Sequence, residues 1–314
     1  MLYNGVCMAE SVNPELSIII LNYNVKELLL NCLESIFQSK GKLDLWQVIV
    51  VDNASSDGAM EAVKSKYPQV ELVENKTNLG FAAGNNVGVK KAKAPVILFL
   101  NPDTIITDHA IQKSLEVLLS NPDFGAVTCK IELPDSRLDY SCHRGFPTPW
   151  NSFAYFSGLA RMFPKWPIFS GYTASYLDID KPHEVDCISG TYLMVRKIAG
   201  EQIGFWDEDY FFNGEDIEFC YSLKEKGWKI YFQPDVKIIH FKGSSSGLWQ
   251  TSAKEVEKGT KLTAATHAAS AMRIFYRKHY YKKYPPIFRD FVLWGIKLLE
   301  HYRKFKIMTG LRYE

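Results

Sequence analysis

The sequence predicts an α/β fold with a mostly parallel central sheet flanked by helices. The first sign is the unbroken apolar run Val96-Ile97-Leu98-Phe99-Leu100, which reads as a strand covered on both faces. The second is the recurrence of strand-like runs at 16–21, 47–51, 70–73 and 96–100, with helical patterns in two of the gaps. That alternation is the βαβ rhythm of a parallel sheet. The third is Pro102, which has no N–H to donate and so ends the 96–100 strand and leaves Asp103 at its exposed carboxyl end. Ligands of open α/β sheets bind outside the carboxyl ends of the strands, so Asp103 is a candidate ligand for a hard cation carrying a diphosphate.

The elements follow in order. A first helix is expected to open at Asn24, with Glu27 reaching back in a capping box and Leu28, Cys32, Leu33, Ile36 and Phe37 following at helical spacing. A second begins near Asp57 and carries Met60, Val63 and Tyr67. A third opens at Thr107, buries Ile111, Leu115, Leu118 and Leu119, and ends at Asn121-Pro122. Residues 134–182 lose periodicity in favour of Pro, aromatic and Ser residues, which marks a functional loop more than a scaffold element. Strand-like runs return at 187–196, 229–232 and 236–241, and two helical segments, 253–278 and 286–306, complete the pattern.

Composition narrows the function classes. With 314 residues, 46% apolar and 23% charged, the chain is an ordinary globular protein with ample core. A net charge of +2 gives no general affinity for nucleic acid, but from Ala271 to Glu314 eleven Lys/Arg face three Asp/Glu, a local +8 against −6 for the remainder. The six cysteines form no C-x-x-C pair and have no His at zinc spacing, so reduced thiols in a cytoplasmic protein are expected. No secretory leader is legible in residues 1–14, and no run approaches the ~18 apolar residues of a spanning helix.

Four constellations carry chemistry. Asp52 ends the strand Val48-Ile49-Val50-Val51, where a carboxylate accepts hydrogen bonds from a nucleobase or ribose, and Ser55-Ser56-Asp57 reads as turn and cap. Asn78-Leu79-Gly80-Phe81-Ala82-Ala83-Gly84-Asn85-Asn86-Val87-Gly88 spaces three glycines four apart; on a helix they allow close packing, and the amides at its start can approach a phosphate or sugar. Phe211-Phe212-Asn213-Gly214-Glu215-Asp216 sets paired carboxylates after an aromatic run, able to divide the holding of an incoming group from the removal of its proton. His240 ends a strand before the Gly/Ser loop 243–247, a candidate lid, and can add a nitrogen ligand to the cation at Asp103.

These pieces, in this order over residues 16–248, resemble glycosyltransferase family 2, and within it the bacterial rhamnosyltransferase-like branch that builds cell-surface polysaccharide. The resemblance rests on Ser17-Ile18-Ile19-Ile20-Leu21-Asn22-Tyr23-Asn24, Val51-Asp52-Asn53-Ala54-Ser55-Ser56-Asp57-Gly58, Asn78-Leu79-Gly80-Phe81 with Gly84-Asn85-Asn86, and Leu100-Asn101-Pro102-Asp103. It continues through Gly204-Phe205-Trp206-Asp207-Glu208, Glu215-Asp216 and His240. Related sequences often carry Asp-Leu-Cys-x-Arg after the acidic pair, where this chain has Glu218-Phe219-Cys220-Tyr221-Ser222.

What the resemblance implies is a GT-A fold, with residues 1–250 as the catalytic domain. Its donor-nucleotide half would cover about 16–133 and its acceptor half 134–250, with 251–314 as a helical, basic C-terminal extension. It further implies an inverting transferase working by single displacement, a nucleotide-sugar donor such as dTDP-L-rhamnose, and a glycan or lipid-linked acceptor. The divalent cation, Mg2+ or Mn2+, would sit where Asn101-Pro102-Asp103 matches the family's D-x-D motif, on Asp103 and His240. By the same carry-over Asp216 is the base and Glu215 orients it or the acceptor, while donor contacts fall on Asn22, Asn24, Asp52, Asn78, Gly80, Phe81, Asn85 and Asn101.

The tail places Ile287, Phe291, Trp294, Leu298, Tyr302 and Phe305 at steps of three and four, rimmed by Arg289, Lys297, Arg303, Lys304 and Lys306. Such a helix either packs on its own domain or lies peripherally on the anionic inner face of the membrane, the second suiting a lipid-linked acceptor. Two other functions compete. A nucleotidyltransferase would normally offer a glycine-rich basic loop where Asn22-Tyr23-Asn24 stands, and a non-catalytic sugar-binding scaffold would not need Asp103 and Asp216 intact.

Overall fold

The computed structural model describes residues 13–39, 41, 43–242 and 258–310. The elements run β1 (Leu16–Asn22), α1 (Lys26–Gln38), β2 (Trp46–Asp52), α2 (Ala59–Lys66), β3 (Glu71–Glu74), α3 (Gly80–Val89), β4 (Val96–Leu100), β5 (Thr104–Ile106), α4 (Ala110–Ser120) and β6 (Phe124–Glu132). Then come α5 (Pro149–Phe156), α6 (Leu159–Met162), α7 (Pro167–Ser170), β7 (His183–Glu184), β8 (Tyr192–Arg196), α8 (Lys197–Ile203), α9 (Glu215–Glu225), β9 (Lys229–His240), α10 (Lys258–His279) and α11 (Pro286–Thr309).

One sheet runs β3-β2-β1-β4-β8-β6-β9-β5, with β7 pairing off β9. The first four strands in that order are parallel, as the βαβ rhythm requires, and their residues Ile18, Ile19, Val50, Phe99 and Leu98 are fully buried between helices. The second half is mixed: β8 is antiparallel to both β4 and β6, whereas β6 and β9 are parallel. The α/β class therefore holds, with the parallel character concentrated in the N-terminal half.

Several local expectations change. The Asn24/Glu27 capping box is absent; Val25 is the cap residue, and the Asp57 carboxylate accepts from the Lys26 amide at 2.8 Å instead. A nearby acid of either origin satisfies an orphan N-terminal amide, so the cap comes from another loop. The third expected helix starts at Ala110 because residues 104–106 form β5, and Leu119 points outward, half exposed. The runs 229–232 and 236–241 are one strand, β9, in which the register skips from Gln233 to Lys237 opposite Cys129 and Lys130. That bulge absorbs Pro234 without breaking the ladder.

β6, at the heart of the sheet, carries no strong strand signal in sequence: Gly125 and Ala126 dilute it, and Gly125 is small because a Cβ there would lie 2.6 Å from Trp228. Of the run 187–196 only Tyr192–Arg196 pairs in the sheet, Cys187 making an isolated bridge to Arg144. The irregular stretch 134–182 contains α5, α6 and α7. The Gly/Ser loop 243–247 and the first residues of the helix expected from 253 lie outside the described residues. Five cysteines are buried free thiols; Cys7 lies outside the described residues.

The two C-terminal helices enclose a second apolar cluster: Ala269, Ala271, Phe275 and Tyr276 of α10 pack on Tyr210, Ile217 and Tyr221, and Ile296 of α11 joins them. Among the described residues no helix is long and apolar enough to cross a membrane.

Candidate active site

The register of the parallel strands lines up three of the residues expected to contact a donor. Asn22 of β1 lies opposite Asp52 of β2, and Asn101 follows β4 on the other side of β1, so three polar side chains share the carboxyl edge about 4.8 Å apart from strand to strand. Asn22 donates to Asp52 at 2.8 Å and to Ser55 Oγ at 3.0 Å, leaving its own buried Oδ1 without a partner. Asp52 also accepts from the Ser55 amide and hydroxyl at 2.8 and 2.6 Å. Asn24, at φ +53, accepts from the Ser56 amide at 2.8 Å, so the 22–24 and 52–56 loops are tied into one rim. Beside this rim an open depression is lined by Lys26, Ser55, Ser56, Gly58, Glu61 and Ala62.

The start of α3 is built by an Asx turn. Asn78 Oδ1 accepts from the Gly80 amide at 2.9 Å and from Asn53 Nδ2 at 3.2 Å. Gly80 adopts φ +82, and a Cβ there would stand 2.5 Å from the Phe211 carbonyl oxygen. That close approach lets the Phe81 amide donate to the same oxygen at 2.9 Å, docking the 211–214 loop on α3. Asn85 is buried and donates to the Phe81 carbonyl at 3.0 Å.

Asp103 and His240 come together through β5, the strand the sequence did not reveal. Thr104 of β5 pairs with His240 of β9, and the Phe241 amide donates to the Asp103 carbonyl at 2.8 Å. His240 Nε2 then lies 3.3 Å from Asp103 Oδ1, and its Nδ1 lies 3.0 Å from Asp139 Oδ2. Asp103 is not at an exposed position, as the strand-end reading supposed, but is only 6% exposed. Burial alone would lower the His240 pKa; the two flanking carboxylates outweigh it and raise it to about 9. Asp139 is opposed by burial as well, yet His240 and Lys242, 2.7 Å away, hold it well below the usual carboxylate range.

Glu215 and Asp216 open α9 behind Gly214, at φ +86, where the helix dipole favours negative charge. Asp216 Oδ2 is 2.5 Å from Arg144 Nη2, and Asp216 Oδ1 accepts from the Ile217 amide at 2.8 Å. Arg144 is held by the paired backbone bonds to Cys187 and reaches the Tyr172 hydroxyl at 3.5 Å. Glu215 is buried, with Oε2 lacking a partner; burial first, and the charge of Asp216 second, push its pKa up to about 8. Glu215 therefore keeps its proton at neutral pH.

Sequence reasoning missed Asp139, Arg144, Tyr172 and Lys242. Three lie in or beside the aperiodic insert, where no spacing announces a partner. The departure at Glu218, Tyr221 and Ser222 has a structural use: Glu218 accepts from Tyr210 at 2.9 Å and Ser222 at 3.2 Å and meets His279 of α10 at 2.8 Å, while Tyr221 lies against the His279 ring. These residues dock α10 on the acidic helix.

The model of the family described as glycosyl transferase family 2 matches residues 17–180, more than half of the chain. The chain belongs to glycosyl transferase family 2. It is a glycosyltransferase that draws on a nucleotide-sugar donor, and within the family it is similar to the rhamnosyltransferase-named members. It is 29% identical over 213 residues to an N-acetylglucosaminyl-diphospho-decaprenol L-rhamnosyltransferase of Mycobacterium tuberculosis, covering 64% of this chain and 68% of that relative. It is 25% identical over 244 residues to the low-salt glycan biosynthesis hexosyltransferase Agl10 of Haloferax volcanii, covering 76% and 71%. Among solved structures, the mannosyltransferase PcManGT from Pyrobaculum calidifontis, in complex with GDP-Man and Mn2+, matches 96% of this family 2 chain and 75% of its own, with TM-score 0.58 and 18% identity. GalNAc-T7 with UDP, GalNAc and Mn2+ matches 96% of this chain and 57% of its own, with TM-score 0.56 and 13% identity. These two likenesses bear on the fold, which is the GT-A fold.

Among the described residues no group of three or more His, Cys, Asp or Glu side chains is arranged to hold a metal ion. An Asp oxygen and a His nitrogen 3.3 Å apart nevertheless suit a cation that takes one or two protein ligands and completes its shell with phosphate and water. The donor set fits in its chemistry.

Proposed function

We propose that this family 2 member is an inverting hexosyltransferase of cell-surface polysaccharide synthesis, taking an L-rhamnosyl group from a nucleotide-sugar such as dTDP-L-rhamnose to a lipid-linked saccharide. The observation that carries it is the division of charge along the site: Asp103 faces an imidazole nitrogen at 3.3 Å, and Asp216 faces a guanidinium at 2.5 Å. The mycobacterial relative's name, which specifies L-rhamnose and a decaprenol-linked acceptor, supports both choices. Asn22, Asn24 and Asp52 shape the rim that receives the nucleotide, and Asn78, Gly80, Phe81, Asn85 and Asn101 form the floor beneath the sugar diphosphate. Asp103 and His240 would hold Mg2+ or Mn2+, whose charge offsets that of the leaving diphosphate. Asp216 removes the acceptor hydroxyl proton as that oxygen attacks the anomeric carbon; Glu215, protonated, orients the acceptor.

Residues 251–314 are proposed as an extension whose helix α11 rests peripherally on an anionic membrane from the cytoplasmic side. α11 turns Ile296 and Ile307 inward and leaves Phe291 at 63% and Trp294 at 58% exposed, so the stripe at steps of three and four is not the one that packs on α10. The test of the transferase reading is a thermal-shift panel of sugar nucleotides with Mn2+, run on the parent and Asp103→Asn. A donor-specific rise that needs the cation and is absent from the variant is expected. A rise of equal size in the variant would remove Asp103 from the site.

A further inference from the structure

We propose that α5, α6 and α7 form, together with the outer stripe of α11, one continuous docking face for an anionic lipid bilayer. The proposal rests on the α11 reading and extends it to a second, separately testable element. Ordinary surface helices put large apolar residues inward; these three do the opposite. Their buried positions are the small residues Ala154, Ala160 and Ser170, while Met162 is 69% exposed and Trp166 and Ile168 are 60% exposed. The outward display is rigid, because Trp150 Nε1 donates to the Ile168 carbonyl at 2.7 Å and Phe163 lies 5.2 Å from Phe169. The large residues are therefore held outward by the packing of the short helices on one another.

Contiguity and charge choose the occupant. The Arg303 guanidinium of α11 lies 5.7 Å from the Phe156 ring centroid at the end of α5, joining the two apolar surfaces. From Pro149 to Ser170 there is no acidic residue, and Arg161 and Lys165 are exposed. On α11 five Lys/Arg stand against two acids, and one of these, Glu300, is already paired with Arg273 and Lys304. Protein–protein interfaces are depleted of charge at their centre. Exposed Trp and Phe framed by Arg and Lys in excess over acids suit the head-group zone of a negatively charged bilayer.

The face also leads to the chemistry. Two residues beyond α7, the Tyr172 carbonyl accepts from the Gly145 amide at 2.9 Å, and its hydroxyl meets Arg144, the partner of Asp216. A bilayer seated on α5–α7 would therefore put a lipid-borne acceptor on the Asp216 side of the site.

The experiment uses the full chain and vesicles of phosphatidylcholine containing roughly a third phosphatidylglycerol, with pure phosphatidylcholine as the control. Sedimentation compares the parent with an insert pair, Phe153→Asp with Ile168→Asp, and a tail pair, Phe291→Asp with Phe305→Asp. All four positions are exposed, and circular dichroism and donor-induced thermal shifts verify the fold. Each pair is expected to lower the partition coefficient about tenfold or more, and salt to weaken the parent's binding. Quenching of tryptophan emission by brominated acyl chains should fall in Trp166→Phe. If the insert pair sediments like the parent while the tail pair does not, the composite face is overturned and the α11 reading stands. If the tail pair keeps parental binding, the α11 reading fails and the composite with it. Absence of vesicle binding together with a dimer that the insert pair dissociates would make the face a homotypic contact instead.

Discussion

Replacing Glu215 by Gln tests the electrostatics of the acidic pair through a quantity independent of turnover. The buried carboxyl has a folded-state pKa of about 8 against 4.5 when free, so between those values the native state keeps a proton that the unfolded chain releases. Stability from this group is complete below about pH 4.5 and falls as pH rises through 8, by 1.36 kcal/mol per unit. At pH 7 the loss is on the order of 3 kcal/mol, which a neutral, isosteric Gln does not incur. Urea unfolding of parent and E215Q at pH 5 and pH 8 isolates the acidic pair, because titrating groups remote from it cancel in the difference. The variant should be more stable than the parent, by a margin several-fold larger at pH 8 than at pH 5. A margin equal at the two pH values would refute the claim that Glu215 holds the proton. Turnover should remain within a few-fold, since the variant keeps the charge on Asp216; loss of activity would move the base to Glu215.

Asp216→Asn should keep donor-induced thermal shifts yet lose about 10²–10⁴-fold in turnover, as general-base removal does; activity within a few-fold of the parent would reassign the base. Gly80→Ala should cost roughly 2–4 kcal/mol, from left-handed strain plus loss of the Phe81–Phe211 bond, and an unchanged denaturant midpoint would refute the account of the α3 start. Mn2+ binding in the presence of a nucleoside diphosphate should release close to one proton at pH 7, because His240, titrating near 9, must shed the Nε2 proton to bind a metal, so affinity rises with pH up to that value. Calorimetry in two buffers of different ionisation enthalpy would show it, and zero proton release would remove His240 as a ligand.

The legible part of the fold was the part written in local pattern. β1, β2 and β4 are buried on both faces, so Ile, Leu and Val dominate their centres, and α1 and α4 carry the 3.6-residue stripe. β5 is three residues long, and β6 mixes Gly, Ala, Thr and Lys because its neighbours, Trp228 among them, fill the space its side chains do not. Neither pattern is distinguishable from a loop until β8 and β9 are placed beside it. The capping of α1 failed for the same reason: Asp57, 31 residues away from the amide it receives, does a task that Asn24 and Glu27 are well spaced to do.

The site divides along the same line. Asp52, Asp103, Glu215 and Asp216 each stand at an element boundary, where a carboxylate after a strand or before a helix is informative on its own. What the sequence withheld was the set of charged partners that give the site's side chains their character. Arg144 reaches Asp216 because Cys187 bridges its backbone, and Asp139 reaches His240 because the turn after β6 folds back on Ile131. Both come from the insert whose lack of periodicity hides them, and each changes the chemistry of the residue it touches. Arg144 pairs with one acid of the pair, while burial first and that acid's charge second keep the other protonated, and Asp139 fixes which imidazole nitrogen faces Asp103. An insert that supplies both partners, and carries the outward aromatic helices between Arg144 and Tyr172, would link the proposed acceptor side of the reaction to the proposed membrane face through a few residues. Substitutions in that short path should therefore alter acceptor use while leaving donor binding on the β1–β2 rim unchanged.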